Sequence, residues 1–299
     1  MPDEQITAAA AGSWTLGDRT VHRMGFGSMR ITANPDRDLA VRVLRRAVEL
    51  GVNHIDTAAF YLSPGGTLGV GTGPTRYATE LIRDAFSPYP EDLVVTTKVG
   101  VGIDATTGRF GEATDAASLR AQVEENLRRL GRDHLDVVNL RIVKRPGRDS
   151  IVESFGALAE MRTAGLIRHL GLSNVRVDHL DEAADIAPVV CVQNSYSVDY
   201  RRENDELVAA CEKRGIAFVP FFALAGANRE SGAADEHSDA VHAVAAAHGA
   251  TAQQVRLAWT LHQGPHVLAI PGTGNPSHLA ENIAAGALRL TPEELASLG

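Results

Sequence analysis

The sequence has few cysteines, no excess of basic residues and no clustered positive charge. Cys191 and Cys211 are the only cysteines among its 299 residues, so neither a disulfide framework nor a cysteine-based metal site is expected. We predict two reduced thiols in a cytoplasmic protein. The net charge of −8 and the lack of a lysine and arginine run argue against a nucleic-acid partner, which requires a basic surface to neutralise phosphates.

Long apolar segments and linkers are also missing. The most apolar stretch, IAFVPFFALAGA, contains Pro220 and is shorter than the roughly 20 residues that a membrane-spanning helix needs. No stretch rich in proline, glycine or serine divides the chain. We therefore predict a single domain over residues 1–299, without a membrane segment. Residues 1–12 lie in an acidic stretch and are predicted to form a loose leader rather than a signal peptide.

Eight short apolar segments of strand character recur, and segments of helical period separate them. They are MGFGSM, NHIDT, DLVVTTK, LDVVNLR, IRHLGLS, VVCVQN, IAFVPF and HVLAIPG. Continuously apolar strands are typical of parallel sheets covered on both faces, and eight β/α units close into a barrel. The sequence therefore predicts an α/β fold, the (β/α)8 TIM barrel. A Gly17-Asp18 turn between two strand-like arms predicts an N-terminal β-hairpin before the barrel.

Two segments exceed ordinary loop length, namely residues 62–75 and 225–239. They are either binding loops or simply mobile, and the sequence leaves both alternatives open. His237, His242 and His248 do not share the spacing of zinc ligands on one helical face, so no metal site is predicted.

Polar residues gather at the carboxyl ends of the predicted strands. In chain order they are Asp56, Tyr61, Lys98, Arg141, Ser173, Asn174 and Gln193. In a barrel these ends form one face, and active sites are built there. Residues far apart in the sequence are therefore expected to meet at one site.

Three of these residues predict proton transfer. A tyrosine such as Tyr61 is a poor proton donor near neutral pH unless a cation stabilises its phenolate, and Lys98 can supply that cation. Asp56 can balance the buried ammonium and hold it toward the tyrosine. We predict that Tyr61 is a general acid toward a carbonyl oxygen, as carbonyl reduction by hydride requires.

These residues resemble the aldo-keto reductase superfamily, and the resemblance runs from GFGSM to NPSHLAENI. GVNHIDTAAFY reproduces the family's strand end with Asp56 and, five positions later, Tyr61, while Lys98 takes the place of the catalytic lysine. The resemblance implies reversible NADPH-dependent reduction of a small aldehyde or ketone. The catalytic residues that it implies are Asp56, Tyr61, Lys98 and Arg141.

The resemblance also implies which residues bind the cofactor. Ser173, Asn174 and Gln193 match the positions that hold the nicotinamide carboxamide, and Phe221 stands where an aromatic ring, more usually tyrosine, stacks on the nicotinamide. The full implied set is Gly27, Ser28, Met29, Asp56, Ser173, Asn174, Gln193, Phe221, Ala223, Leu224, Gly272, Thr273, Gly274, His278 and Asn282.

Arg141 departs from the family pattern. It lies five positions after Asp136, where the family usually has a histidine. Because arginine is permanently charged, it cannot shuttle a proton, but it can donate hydrogen bonds to a carbonyl oxygen. We expect Arg141 to polarise and orient the substrate, and the alternative is a structural ion pair.

The cofactor preference and the activity each have an alternative. Gly272 and His278 occupy positions where the family often has permanent cations beside the 2′-phosphate. Thr273 and the backbone amides of the helix that begins near Pro276 can still bind this phosphate, although more weakly. NADPH is therefore expected to be preferred over NADH, with His278 making the preference stronger at low pH, unless this histidine points to solvent. The alternative function is a catalytically slow NADP(H)-binding protein with a regulatory or redox-sensing role.

Overall fold

The computed structural model describes residues 6–66, 70–103, 110–143, 149–199, 204–224 and 237–299. Strands and helices alternate along most of this length. The strands are β1 (Ser13–Leu16), β2 (Arg19–His22), β3 (Phe26–Gly27), β4 (His54–Asp56), β5 (Leu62–Ser63), β6 (Arg76–Tyr77), β7 (Val94–Val99), β8 (Val101–Ile103), β9 (Phe110–Glu112), β10 (Leu135–Arg141), β11 (Ile167–Ser173), β12 (Val189–Gln193) and β13 (Ala217–Phe218).

The helices complete the alternation. They are α1 (Arg37–Glu49), α2 (Ala78–Phe86), α3 (Ala116–Leu130), α4 (Val152–Thr163), α5 (Val177–Ala184), α6 (Asp205–Lys213), α7 (Asp239–His248), α8 (Ala252–His262), α9 (Pro276–Ala284) and α10 (Pro292–Ser297). Their ends follow local chemistry. For example, Asp115 accepts a hydrogen bond from the Ser118 amide to start α3, and Gly131 ends it in the left-handed conformation at φ 65°.

Seven parallel strands form one curled sheet in the order β3, β4, β7, β10, β11, β12 and β13. The segment after α8 joins the two edges of this sheet, since Val267 pairs with Phe218 and Ala269 pairs with Met24. The predicted (β/α)8 barrel is confirmed. The last predicted strand, HVLAIPG, is present as these two bridges instead of a continuous ladder.

The predicted hairpin is also present. β1 and β2 pair antiparallel with Trp14 opposite Val21, and Gly17 supplies the positive φ of 68° in the turn. Leu16 and Val21 are buried against Val94 and other residues inside the barrel. The hairpin therefore packs on the amino-terminal end of the barrel, and the carboxyl-terminal end is the end left for a site.

Residues 8–11 differ from the predicted loose leader. They form a 3₁₀ helix in which Ala8 and Ala11 are buried, and the Ala8 amide donates to the Leu50 carbonyl at 2.8 Å. Alanine side chains are small enough to pack closely at this point, and the backbone bond fixes the segment to the end of α1. Residues 1–5 lie outside the described residues.

The long loops are only partly described. Leu62 and Ser63 pair with Tyr77 and Arg76, and β8 pairs with β9, so two short hairpins stand at the carboxyl-terminal end of the barrel. Residues 67–69, 104–109 and 225–236 lie outside the description, including most of the predicted loop 225–239. Among the residues described, no helix combines the length and apolar character that crossing a bilayer requires.

Both cysteines are buried free thiols, as predicted. Burial raises the pKa of Cys191 and of Cys211 to about 12. Neither thiol is therefore ionised near neutral pH, and both behave as small core residues.

Candidate active site

Asp56 and Lys98 form a buried ion pair at the carboxyl-terminal end of the barrel. Their strands are neighbours, and Asp56 lies opposite Thr96, two residues before Lys98. The Lys98 Nζ donates to both carboxylate oxygens at 2.7 Å and to the Thr57 carbonyl at 3.0 Å. Both side chains are almost inaccessible, with residue exposures of 4 % for Asp56 and 2 % for Lys98. The pair is therefore held in one geometry and shielded from water.

The charge on Lys98 is maintained despite its burial. Desolvation alone lowers the pKa of this lysine, but the carboxylate of Asp56 and the nearby Tyr61 outweigh it, and the pKa is raised above its ordinary value. Lys98 is consequently an ammonium group at any pH near neutral.

Tyr61 lies against this ammonium. The Lys98 Nζ is 4.8 Å from the centroid of the tyrosine ring, and Phe60 packs edge-on against the same ring with centroids 5.2 Å apart. Burial raises the pKa of Tyr61, while Lys98 and Arg141 oppose the rise and Asp56 adds to it. Tyr61 therefore retains its proton near neutral pH and can serve as a donor.

Arg141 ends β10 beside the cofactor positions that the sequence predicted. Its Nη1 donates to the Ser173 Oγ at 3.1 Å, and its Cζ lies 5.0 Å from the centroid of the Phe221 ring. Gly100 permits a close approach of the backbone at Arg141, because its φ is +102° and a Cβ there would lie 2.4 Å from the Arg141 carbonyl oxygen. Within the described residues Arg141 has no carboxylate partner, so the ion-pair alternative gains no support there.

Gln193 joins the Asp56 pair, a contact that its sequence position did not reveal. Its Nε2 donates to Asp56 Oδ1 at 2.7 Å. Its Oε1 is buried and has no hydrogen-bond partner in the described structure. The amide is thus oriented with its oxygen free to accept from a ligand.

Ser173 ends β11 and Asn174 follows it, and their side chains make different contacts. The Ser173 hydroxyl accepts from Arg141, which leaves its own proton available for donation. Asn174 has a φ of 61°, and its side-chain nitrogen donates to the Ile142 carbonyl at 3.0 Å. The nitrogen of Asn174 is therefore engaged with the backbone, and its amide oxygen remains as an acceptor.

Phe221 is held by a backbone pairing between two loops. It forms an isolated parallel β-bridge with Ser195, and its N–H donates to the Asn194 carbonyl at 3.1 Å. Phe222 is next to it with a φ of 64°, and the two rings meet edge to face at 5.1 Å. Ala223 is buried and Leu224 partly buried directly afterwards.

The glycines at the barrel closure permit a close backbone approach. A Cβ on Gly27 would lie 2.5 Å from the Ile270 carbonyl oxygen, and one on Gly272 would lie 2.2 Å from the Gly27 carbonyl oxygen. Ser28 follows, with its amide donating to the Asp56 carbonyl at 2.9 Å and its buried hydroxyl unpartnered within the described structure. Met29 is partly exposed beside it. These contacts connect the ion pair to the segment that carries Thr273.

A helix start adjoins Thr273. The Thr273 hydroxyl accepts from the Asn275 amide at 3.0 Å, and Asn275 caps α9 by accepting from the Ser277 amide at 2.9 Å. Gly274 is linked through its carbonyl to Asn34 at 3.5 Å. His278 is exposed in the first turn of α9, and Asn282 is buried one turn later. Amides at a helix start favour an anion.

The residues present fit a nicotinamide dinucleotide. The buried, unpartnered oxygens of Ser28 and Gln193 lack partners that a bound carboxamide can provide. Phe221 offers an aromatic face, and Thr273 with the start of α9 offers donors for phosphate.

Sequence reasoning missed Thr57 and Phe60, which contact Lys98 and Tyr61. The sequence signals for them are weak: Thr57 is a small residue directly after Asp56, and Phe60 is an aromatic residue directly before Tyr61.

Comparison with known proteins identifies the family of the chain. A family model described as the aldo/keto reductase family matches residues 23–299. Pyridoxine 4-dehydrogenase of Escherichia coli K12 is 42% identical over 302 residues, covering 97% of this chain and 98% of that protein. A thermostable aldo-keto reductase solved with the inhibitor epalrestat matches with a TM-score of 0.76 at 29% identity, covering 96% of this chain and 98% of that one. An aldo/keto reductase from Klebsiella pneumoniae, solved with NADP and acetate, matches with a TM-score of 0.76 at 26% identity over 96% of this chain and 93% of that one.

Proposed function

The chain belongs to the aldo/keto reductase family and is an oxidoreductase, and we propose that it reversibly reduces an aldehyde or ketone to the alcohol with NADPH. The observation that carries the proposal is the buried contact of Asp56, Lys98 and Tyr61. A phenol that keeps its proton beside a fixed ammonium is a donor for a carbonyl oxygen.

In this proposal Tyr61 moves the proton and Lys98 stabilises the charge that the transfer creates. As negative charge develops on the carbonyl oxygen, the Tyr61 hydroxyl donates its proton, and the phenolate that remains lies beside the Lys98 ammonium. Asp56 keeps Lys98 in place through two hydrogen bonds. In the reverse direction Tyr61 accepts the proton of the alcohol.

The bound nicotinamide supplies the hydride for this chemistry. Ser28, Ser173 and Gln193 have hydrogen-bonding atoms available to hold its carboxamide, and Phe221 has a face available for its ring. At the other end Thr273, His278 and Asn282 would hold the adenosine phosphate. NADH would bind through the same contacts except those to the 2′-phosphate.

The relative from Escherichia coli suggests a substrate class. That protein is a pyridoxine 4-dehydrogenase, and removing two hydrogens from a hydroxymethyl group on a pyridine ring leaves an aldehyde. We propose that pyridoxine and pyridoxal are among the pairs that this chain interconverts. The test follows the absorbance of reduced nicotinamide with pyridoxal and a panel of small aldehydes and ketones. Tight binding of NADPH without turnover on any of them would favour the slow regulatory protein instead.

Replacing Arg141 with methionine tests its part in the reaction. We expect kcat/KM for a neutral aldehyde to fall by an amount equivalent to about 2–4 kcal/mol, because a pre-aimed hydrogen-bond donor is lost from the developing oxyanion. Methionine keeps an unbranched apolar side chain at this position while removing the guanidinium. Steady-state rates and the urea midpoint are measured together. If only the midpoint changes, Arg141 has a structural role.

Substitution of His278 tests its part in cofactor binding. We expect His278→Gln to weaken the binding of NADPH more than that of NADH, because the side chain lies in the first turn of α9, where the helix start favours the 2′-phosphate. Dissociation constants for both cofactors are measured for the wild type, for His278→Gln and for His242→Gln, an exposed control on α7 that should change neither. An unaltered ratio of the two constants in His278→Gln would show that this side chain does not contact the phosphate.

A further inference from the structure

Arg141 carries a positive charge that the described structure does not balance. Lys98 is neutralised by Asp56 at 2.7 Å, so that pair contributes no net charge to the site. The contacts of the Arg141 guanidinium in the described structure are the Ser173 hydroxyl at 3.1 Å and the face of Phe221 at 5.0 Å. Neither is a carboxylate. Together Asp56, Lys98 and Arg141 leave a net charge of one positive unit beside Tyr61.

The geometry of this cation suits two oxygens at once. A guanidinium has five N–H groups in one plane. Among the described residues, the hydrogen bond to Ser173 engages one of them. The guanidinium contacts both Phe221 and Ser173. Burial raises the pKa of Tyr61, and the positive charge of Arg141 acts in the opposite direction, less strongly than Lys98. A substrate oxygen within reach of Tyr61 is therefore in the field of Arg141.

A neutral carbonyl uses only part of this capacity. One N–H can share the carbonyl oxygen with Tyr61, while the remaining donors would face a substrate with nothing to accept them. An anionic oxygen next to the carbonyl would form a charge-assisted, two-point contact, which is the strongest pairing available to arginine. It would also balance the charge in a partly buried position, where an uncompensated charge is costly.

From these observations we propose that Arg141 is a specificity-determining residue that binds an anionic oxygen beside the reacting carbonyl, so that preferred substrates carry a carboxylate or phenolate next to that carbonyl. The inference rests on the proposed carbonyl reduction and narrows its substrate class. Two sources supply the same chemistry, namely a carboxylate in a 2-oxo acid and a phenolate ortho to an aldehyde, as in pyridoxal.

The experiment compares two substrate pairs with saturating NADPH. Phenylglyoxylate is paired with its methyl ester, and pyridoxal is paired with its phenol O-methyl ether. Each pair keeps the reacting carbonyl and removes the negative charge beside it. The kcat/KM ratio, anionic over neutral, is measured for the wild type, Arg141→Met, Arg141→Lys and Arg128→Met. Arg128 is an exposed arginine on α3 with a side-chain exposure of 64%, so its replacement removes the same charge away from the site.

Because the members of a pair differ in intrinsic reactivity, the change of the ratio on mutation is the deciding quantity. We expect the ratio to fall about 10- to 100-fold in Arg141→Met, as loss of a hydrogen bond to a charged group implies. Arg141→Lys should lose less, since it keeps the charge without the planar fork, and Arg128→Met should not change the ratio. If the ratio falls only for the phenylglyoxylate pair, the anionic oxygen that Arg141 binds is that of a carboxylate. If it falls only for the pyridoxal pair, it is that of a phenolate.

Two results would overturn the inference, and they are distinguishable. If Arg141→Met still turns over the neutral substrates and its kcat/KM ratio, anionic over neutral, is unchanged, Arg141 does not bind the anionic oxygen. The proposed carbonyl reduction is unaffected by this result. No turnover of any member by the wild type, with NADPH bound, overturns the proposed function itself. Cofactor titration of each variant establishes that it is folded, and Arg141→Lys keeps the comparison possible if Arg141→Met fails to fold.

Discussion

Tyr61→Phe is expected to lower turnover by about 10² to 10⁴ while leaving cofactor affinity nearly unchanged. The substitution removes one oxygen and retains the ring that packs against Phe60 and faces Lys98. Because burial raises the pKa of Tyr61, the wild-type hydroxyl keeps its proton until charge develops on the substrate oxygen. Without that proton, the oxyanion that develops on the substrate must take its proton from another donor.

The measurement is single-turnover oxidation of NADPH with a saturating aldehyde, together with cofactor titration. Tyr89→Phe is the matched control, since it deletes the same atom elsewhere in the chain. Its hydroxyl donates to the Leu130 carbonyl at 2.7 Å, so we expect a loss of about 1 kcal/mol of stability and no loss of turnover. A near wild-type rate in Tyr61→Phe would assign proton donation to another group.

The sequence could predict the barrel because its signals are local. Each strand is a short apolar run, each helix has its own period, and strand order in a barrel follows chain order. Asp56 and Tyr61 were recognisable for the same reason, since one strand end contains both. The hairpin β1–β2 followed from its Gly17-Asp18 turn.

Contacts between distant segments could not be predicted in this way. Gln193 reaches Asp56 across 137 positions of sequence, and only the closed barrel brings these strands together. The packing of Ala8 beside Leu50 depends equally on where the chain returns. Asn174 has a left-handed φ and its side chain donates to a backbone carbonyl, and a strand-end position in the sequence reveals neither property.

Lys98→Met is expected to reduce both stability and turnover strongly. The Asp56 side chain is 6 % exposed, so removing its partner leaves a carboxylate buried without compensation, at a cost of about 3–5 kcal/mol. We expect turnover to fall on the order of 10² to 10³, as for loss of one group that stabilises transition-state charge. Urea unfolding at neutral pH and NADPH oxidation measure the two effects.

A double substitution separates the two roles of the lysine. Asp56→Asn combined with Lys98→Met removes both charges, so much of the lost stability should return, whereas turnover should stay low because the ammonium beside Tyr61 is still absent. Recovery of turnover in the double variant would mean that Lys98 serves only to neutralise Asp56.

The pH dependence of stability is a further test of the charge on Lys98. The pKa of Lys98 is raised in the folded protein, so its contribution is fully present below the unfolded-state value of about 10.4. It is lost as the pH rises through the higher folded value. The difference in unfolding free energy between wild type and Lys98→Met should therefore be constant from pH 7 to about 10 and shrink only in stronger alkali. If the difference disappears below about pH 10, Asp56 does not hold Lys98 as an ammonium. The proposal that a charged Lys98 lies beside Tyr61 would then be wrong.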